Sequence, residues 1–307
     1  MDNHMNAVEL SGVTKTFGTL TAVDTLDLKV PEGRVYGFIG PNGSGKTTTL
    51  RMIMNIYFPD DGEIKIFGEP LRGAVSDRIG YMPEERGLYK KMKVGDLLLF
   101  YGGLKNGKDL ASEVDRWLNR FDLIEWKDKK IETLSKGMSQ KVQFIATIIS
   151  QPEMIILDEP FSGLDPVNMD TIREAILDLQ KEGRTIIFST HDMNVAERMC
   201  DYIFMIYKGK KVLDDTLEAI QDRFGDDTIR VRLTNPQVDL NRIAGITKIN
   251  NFGQIQEIRT SETADPQNIL REILNLTPVR SFEITRPSLH DIFVRIAAPE
   301  SMEENHA

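Results

Sequence analysis

Gly40-Pro41-Asn42-Gly43-Ser44-Gly45-Lys46-Thr47 follows a short apolar run at 34–39 and precedes a stretch at 47–56 whose apolar residues recur at helical spacing. A strand that enters a glycine-rich turn and leaves as a helix marks an α/β fold that holds phosphate groups. The physical reason is local. Glycines let successive backbone N–H groups turn inward around an anion, and the following helix aims the positive end of its dipole at the same point. In this pattern Lys46 reaches the outer phosphates of a nucleotide, the Thr47 hydroxyl ligates Mg²⁺ and Thr48 supports the phosphates.

Working outward, residues 8–30 alternate apolar and polar and read as antiparallel strands with turns at Gly12 and Gly18. Further strands are expected at 63–67 and 78–82. From 94 to 134 the pattern becomes helical, with Leu97, Leu98, Val114, Trp117, Leu118 and Phe121 supplying apolar faces. Strands at 154–157, 185–189 and 202–207 then alternate with helices at 167–181 and 193–199, which argues a parallel sheet covered by helices. After about 224 the character changes to strands at 228–233, 246–250, 255–260 and 281–285 with helices at 266–276 and 289–297, the last capped by Pro287-Ser288. The expected organisation is a nucleotide domain over 1–223 with a helical insert at about 94–138, a small α+β domain over 224–298 and a disordered tail at 299–307.

Composition narrows the function classes. Of 307 residues, 40% are hydrophobic and 28% charged, ample for a packed core, and the formal net charge is −9. Such a balance argues against nucleic acid as a partner. A single cysteine, Cys200, cannot form an internal disulfide, and a small buried hydrophobe is the expected role for it. Residues 1–10 lack a secretory pattern and no apolar run approaches the length of a membrane helix, so a cytoplasmic chain is expected, any membrane role coming through a partner.

Asp158-Glu159 follows the apolar run at 154–157, placing two carboxylates at the end of a buried strand, where open α/β sheets keep their active sites. Asp158 suits a Mg²⁺ ligand and Glu159 a general base that polarises an attacking water. Three further pieces stand in fixed order: Leu134-Ser135-Lys136-Gly137-Met138, Ser162-Gly163-Leu164-Asp165 and Ser189-Thr190-His191. With these five motifs the chain resembles, over about residues 8–220, the nucleotide-binding domain of ATP-binding cassette (ABC) transporters.

The resemblance implies an α/β, P-loop ATPase core with an antiparallel β subdomain and a helical insert, followed by a small α+β C-terminal domain. It implies ATP and Mg²⁺ as ligands, and two nucleotide domains, a homodimer by expectation, docked head to tail around two ATP molecules. Ser135 and Gly137 then contact the γ-phosphate held by the opposite subunit. His191 senses that phosphate, Asp165 links the two sites and Phe17 stacks on adenine, an apolar core role for Phe17 remaining open. The partner is an integral membrane permease, with this chain peripheral on the inner face of the membrane, contacting the permease through the helical insert and the loop after Glu84. Two departures from the family pattern stand out: Glu84 replaces a glutamine and joins the candidate metal ligands, and Lys136 and Met138 replace a glycine and a glutamine in the signature segment. Residues 83–88, 134–140 and Pro287-Ser288-Leu289-His290-Asp291-Ile292-Phe293 resemble an exporter subgroup grouped with sodium-extrusion and antibiotic-resistance systems. The alternatives are a non-transport ABC ATPase and a nucleotide-gated regulatory module. Lys90, Lys91 and Lys93 read as solvated surface.

Overall fold

A computed structural model of the chain describes residues 5–71, 77–85, 87–105, 110–225, 228–235, 237–261 and 263–303. The chain divides into two compact units between Thr216 and Leu217.

The first unit opens with a hairpin, β1 (Asn6–Phe17) and β2 (Leu20–Pro31), closed by the pair Phe17↔Leu20. Gly12 is not a turn. It sits within β1 at φ 58, where the register shifts between Leu10 and Val13, so one strand continues through a bulge where two were expected. β3 (Val35–Ile39) feeds α1 (Lys46–Ile53), and β4 (Asp61–Ile66) and β5 (Glu69–Pro70) return to the hairpin to complete an antiparallel sheet of order β2-β1-β4-β5.

β6 (Ile79–Met82), β7 (Met154–Asp158), β8 (Thr185–Thr190), β9 (Tyr202–Tyr207) and β10 (Lys210–Thr216) join β3 in a second sheet of order β10-β9-β3-β8-β7-β6. Its strands run parallel apart from β10, which returns antiparallel to β9. Three helices, α2 (Val94–Leu104), α3 (Leu110–Arg120) and α4 (Lys136–Ile148), lie between β6 and β7, while α5 (Pro166–Lys181) and α6 (Met193–Met199) connect β7 to β8 and β8 to β9.

A strand with apolar residues at every position must bury both faces, and β7 does so. Ile155 and Leu157 face one core with Leu98, Trp117, Phe121 and Phe144. Met154 and Ile156 face the other, with Val8, Leu50 and Phe204. The parallel sheet is thus gripped between the helical insert and the antiparallel sheet, a period of two in one strand assigning each side chain its layer. Cys200 packs on this sheet, its Sγ 2.5 Å from where a Cβ on Gly37 would lie, and burial pushes its thiol well above the usual range. That is a structural thiol and no nucleophile.

The second unit begins earlier than expected, with α7 (Leu217–Phe224), whose Ile220 is buried and whose Glu218 and Asp222 pair with Arg286 at 3.9 and 2.7 Å. β11 (Thr228–Leu233), β12 (Ile246–Phe252), β13 (Ile255–Thr260) and, after α8 (Pro266–Leu276), β14 (Val279–Thr285) form an antiparallel sheet of order β12-β13-β11-β14. Ile269 and Ile273 of α8 pack on Ile229, Val231 and Ile258. α9 (Leu289–Glu303) starts at a reciprocal cap: Ser288 Oγ accepts from Asp291 N–H at 3.1 Å and Asp291 Oδ2 accepts from Ser288 N–H at 3.2 Å. The helix runs through Pro299 to Glu303, so the tail expected to be disordered from 299 is helical that far. Ala297-Ala298 and Met302-Glu303 are good helix formers, and the proline removes one backbone donor without ending the run. Residues 304–307 lie outside the described residues.

Phe121 is fully buried between the rings of Trp117 and Phe144, at 6.0 and 5.8 Å. Phe121→Ala is expected to destabilise the first unit by about 3–5 kcal/mol. Urea unfolding of the full chain followed by tryptophan fluorescence should show a lowered midpoint, with Phe121→Leu lowering it less.

Candidate active site

β3 ends at Ile39 and the chain turns through residues 40–45 before α1 begins at Lys46. Two glycines are obligatory here. A Cβ on Gly40 would collide with the Ile206 carbonyl oxygen. Gly45, at φ 112, caps α1, and a Cβ there would lie 2.5 Å from the Ala22 carbonyl oxygen of β2. The turn is therefore wedged between β9 and the hairpin, which fixes its curvature. Asn42 and Gly43 form its exposed outer lip, with Pro41 half-buried and Ser44 buried.

Lys46 is buried, and its ammonium folds back over the turn, donating to Gly40 O at 2.8 Å and Pro41 O at 3.1 Å. Burial lowers its pKa, and the carboxylates of Glu159, Asp158 and Glu84 oppose that shift. Ser44 Oγ is buried without a hydrogen-bond partner. An unpaired buried hydroxyl in a glycine turn fits an incoming phosphate oxygen, since leaving it unmet costs free energy. Thr48 lies half-buried in the first turn of α1.

Parallel pairing brings the acidic pair to the same edge. Asp158 ends β7 opposite Ser189 of β8, and Ile39 of β3 lies opposite Thr190. Thr47 Oγ1 donates to Asp158 Oδ1 at 3.3 Å, joining the first helical turn to the strand end. Asp158 Oδ2 is buried with no hydrogen-bond partner. A buried carboxylate oxygen left open beside a threonine hydroxyl fits a hard cation such as Mg²⁺.

Glu159 is buried and adopts φ 51, left-handed backbone that costs a non-glycine residue about 1–2 kcal/mol. Ser189 holds it there: its Oγ accepts from Glu159 N–H at 3.0 Å and donates to Asp158 Oδ1. The reversal of direction at Glu159 sends its carboxylate to His191, whose Nδ1 lies 2.9 Å from Glu159 Oε1. His191 is exposed beyond the end of β8, and the next residue, Asp192, caps α6 by accepting from Asn194 N–H at 3.0 Å.

The remaining candidates stand apart. Ser135 caps α4, accepting from Met138 N–H at 3.2 Å, and is exposed. A Cβ on Gly137 would meet Asn168 Nδ2 at 2.9 Å, so the start of α4 packs on the start of α5, where Asp165 accepts from Asn168 N–H at 3.0 Å. No hydrogen bond among the described residues joins Ser135 or Gly137 to Lys46, Thr47, Asp158 or Glu159. Glu84 is exposed in the loop after β6 and lines a cleft of about 330 Å³ with Glu85, Lys136, Gln140 and Ser162. It makes no hydrogen bond to Thr47 or Asp158 among the described residues. Phe17 is 43% exposed, with its ring 5.4 Å from Tyr57 edge to face. It is thus neither a core residue nor fully free.

Sequence reading missed three positioning residues. Ser189 was visible only as part of a Ser-Thr-His string; the signal was a small hydroxyl ending an otherwise apolar strand. Gln140 donates to Pro160 O at 3.0 Å and Gln143 to Pro83 O at 3.0 Å, tying α4 to the acidic strand end and to the loop bearing Glu84. Their signal was a pair of amides three residues apart among the apolar residues of α4.

Residues 23–162 match the family described as ABC transporter, and residues 216–297 match the ATP-binding protein DrrA1-3-like C-terminal domain. An uncharacterized ABC transporter ATP-binding protein of Bacillus subtilis (strain 168), YhaQ, is 40% identical over 92% of this chain and 95% of its own length. The Nod factor export ATP-binding protein I of Rhizobium sp. (strain N33) is 33% identical over 96% of this chain and 98% of its own length. A solved ATP-binding subunit of an ABC transporter superposes with a TM-score of 0.67 at 27% identity, covering 71% of this chain and 93% of that one. A glycine turn, an acidic strand end and a histidine gather at one sheet edge, and relatives spanning nearly the whole chain place it among the ATP-binding subunits of ABC transporters, a family that hydrolyses ATP to drive transport.

Proposed function

We propose that this chain powers export through a separate membrane permease, hydrolysing Mg²⁺-ATP at a site completed by a second copy of itself. The observation that carries the catalytic part is the Glu159 carboxylate, buried at the strand end and directed at His191 by left-handed backbone. Export is favoured because a relative matching nearly the full length is named for it.

The turn 40–45 and the start of α1 cradle the phosphates with backbone N–H groups, and Lys46 exchanges its carbonyl acceptors for phosphate oxygens. Phe17 offers a half-exposed ring to the adenine. Thr47 and Asp158 hold the metal, with Glu84 within electrostatic reach through the neighbouring loop. Mg²⁺, when bound, neutralises charge on the transferring phosphate. Glu159 accepts a proton from the attacking water as the γ-phosphate is released, and His191 orients that carboxylate and reads the phosphate. Ser135, exposed, and Gly137, half-buried, make no hydrogen bond to this cluster among the described residues, as groups that serve a partner's nucleotide would. The chain works at the cytoplasmic face of the membrane.

Glu159→Gln keeps the shape and removes the base. Turnover should fall by about 10²–10⁴-fold while nucleotide binding, measured by equilibrium dialysis, persists. Full steady-state phosphate release by this variant would sink the assigned role. Ser189→Ala leaves the Glu159 N–H and Asp158 without their shared hydroxyl. It should lower kcat more than it raises KM for ATP and destabilise the chain by about 1–3 kcal/mol, whereas Ser189→Thr should recover part of both. For the transporter reading, a mild-detergent pull-down of the tagged chain from native membranes should bring a stoichiometric polytopic protein. Recovery of ribosomes or nucleic-acid factors in its place would move the assignment to a non-transport ATPase.

A further inference from the structure

Two lysine runs far apart in sequence meet on the helical insert. Ile131 N–H donates to Met92 O at 3.0 Å, Val94 N–H to Lys129 O at 2.9 Å and Glu132 N–H to Lys90 O at 3.0 Å. Lys93 and Lys130 face each other as an antiparallel bridge. Val94 and Ile131 are buried and Met92 packs on the same core, so the pleat turns Lys91, Lys93 and Lys130 to the outer face. Lys90 and Lys129 are exposed beside them, and Lys127 follows on the same segment.

Charge is therefore concentrated against the trend of the molecule. The paired segments 90–93 and 127–132 hold six lysines and two carboxylates, in a chain of net charge −9. Lys93 pairs with Asp128 at 3.5 Å, Lys130 with Glu132 at 3.7 Å and Lys127 with Asp115 at 2.5 Å. Lys90, Lys91 and Lys129 pair with no carboxylate among the described residues. Asp115, Asp128 and Glu132 thus offset three of the six lysines, and the uncompensated charge lies on Lys90, Lys91 and Lys129. Tyr89, immediately before the first run, is 55% exposed and contacts the half-exposed ring of Phe100 at 6.0 Å.

We propose that this face binds the anionic headgroups of the membrane that holds the permease. It rests on the proposed function for its nearness to a membrane. The chemistry fits a lipid surface for two reasons. The cations are spread along a short ladder of exposed side chains, as many separate phosphates require and a single ligand does not. Beside them stand a tyrosine and a phenylalanine, rings suited to the headgroup boundary. Each lysine held near an anionic leaflet strengthens association about fivefold, so the effect becomes large only when several act together.

The test uses the purified full chain sedimented with vesicles of phosphatidylcholine alone or mixed with phosphatidylglycerol. The chain is expected to follow only the anionic vesicles, and to be released as salt rises from about 0.1 to about 0.5 M. The combined Lys91→Gln, Lys93→Gln and Lys130→Gln variant should bind these vesicles roughly a hundredfold more weakly, with its urea midpoint and ATP hydrolysis unchanged. Equal binding to neutral vesicles, or undiminished binding by the variant, would overturn the proposal. So would failure to bind either vesicle while the variant loses the detergent-solubilised permease, which would give the face to a protein partner. Loss of hydrolysis by the unaltered chain would instead count against the proposed function and leave the vesicle result standing.

Discussion

Parallel pairing of β3, β8 and β7 is the constraint on which the site depends. It sets Ile39 beside Thr190 and Ser189 beside Asp158, so three chain segments leave the sheet at one edge within hydrogen-bond reach. Each then turns sharply: through the glycine loop after β3, through left-handed Glu159 after β7 and through Asp192, which caps α6, after β8. Parallel strands need covered faces, which the helical insert supplies on one side and the antiparallel sheet on the other. A shift of one residue in β7 would exchange Ile155 and Ile156 between two cores and carry Asp158 away from Ser189.

Backbone strain and side-chain geometry are joined at Ser189. Its hydroxyl donates to one carboxylate while accepting the N–H of the residue that carries the other. The left-handed conformation at Glu159 is thereby held by the same group that orients Asp158. A glycine at 159 would relieve the strain but would carry no carboxylate to meet His191.

Much of this was legible in the sequence, where local chemistry dictates structure. The glycine turn, the acidic strand end and the helices at 166–181 and 193–199 rest on short-range rules of turn geometry, alternation and capping. What stayed hidden depends on distant partners. Gly12 looks like a turn residue, yet β4 and β2 pair on both sides of β1 and draw it into a bulged strand. α7 looks like the end of the first domain, but Arg286, far along the chain, claims its acidic face. The meeting of residues 90–93 with 127–132 leaves no trace in either run alone. Ser189 and the two glutamines of α4 were obscure for a related reason, since a buried polar residue reveals its partner only after folding.

The balance of charge explains why the site needs so much backbone. One buried ammonium, Lys46, is within electrostatic reach of three carboxylates, Glu159, Asp158 and Glu84. A nucleotide brings more negative charge into that environment, so net attraction cannot hold it. On the proposed function, backbone N–H groups of the turn, the dipole of α1 and the unmet Ser44 hydroxyl are neutral donors that would bind phosphate without adding a cation to the interior. In the proposed function the open oxygen of Asp158 serves the opposite need, as a place for a metal that would travel with the phosphates. Glutamate at position 84 adds one further negative charge to this set, so on the proposed function a neutralising metal would matter more here than beside a neutral amide.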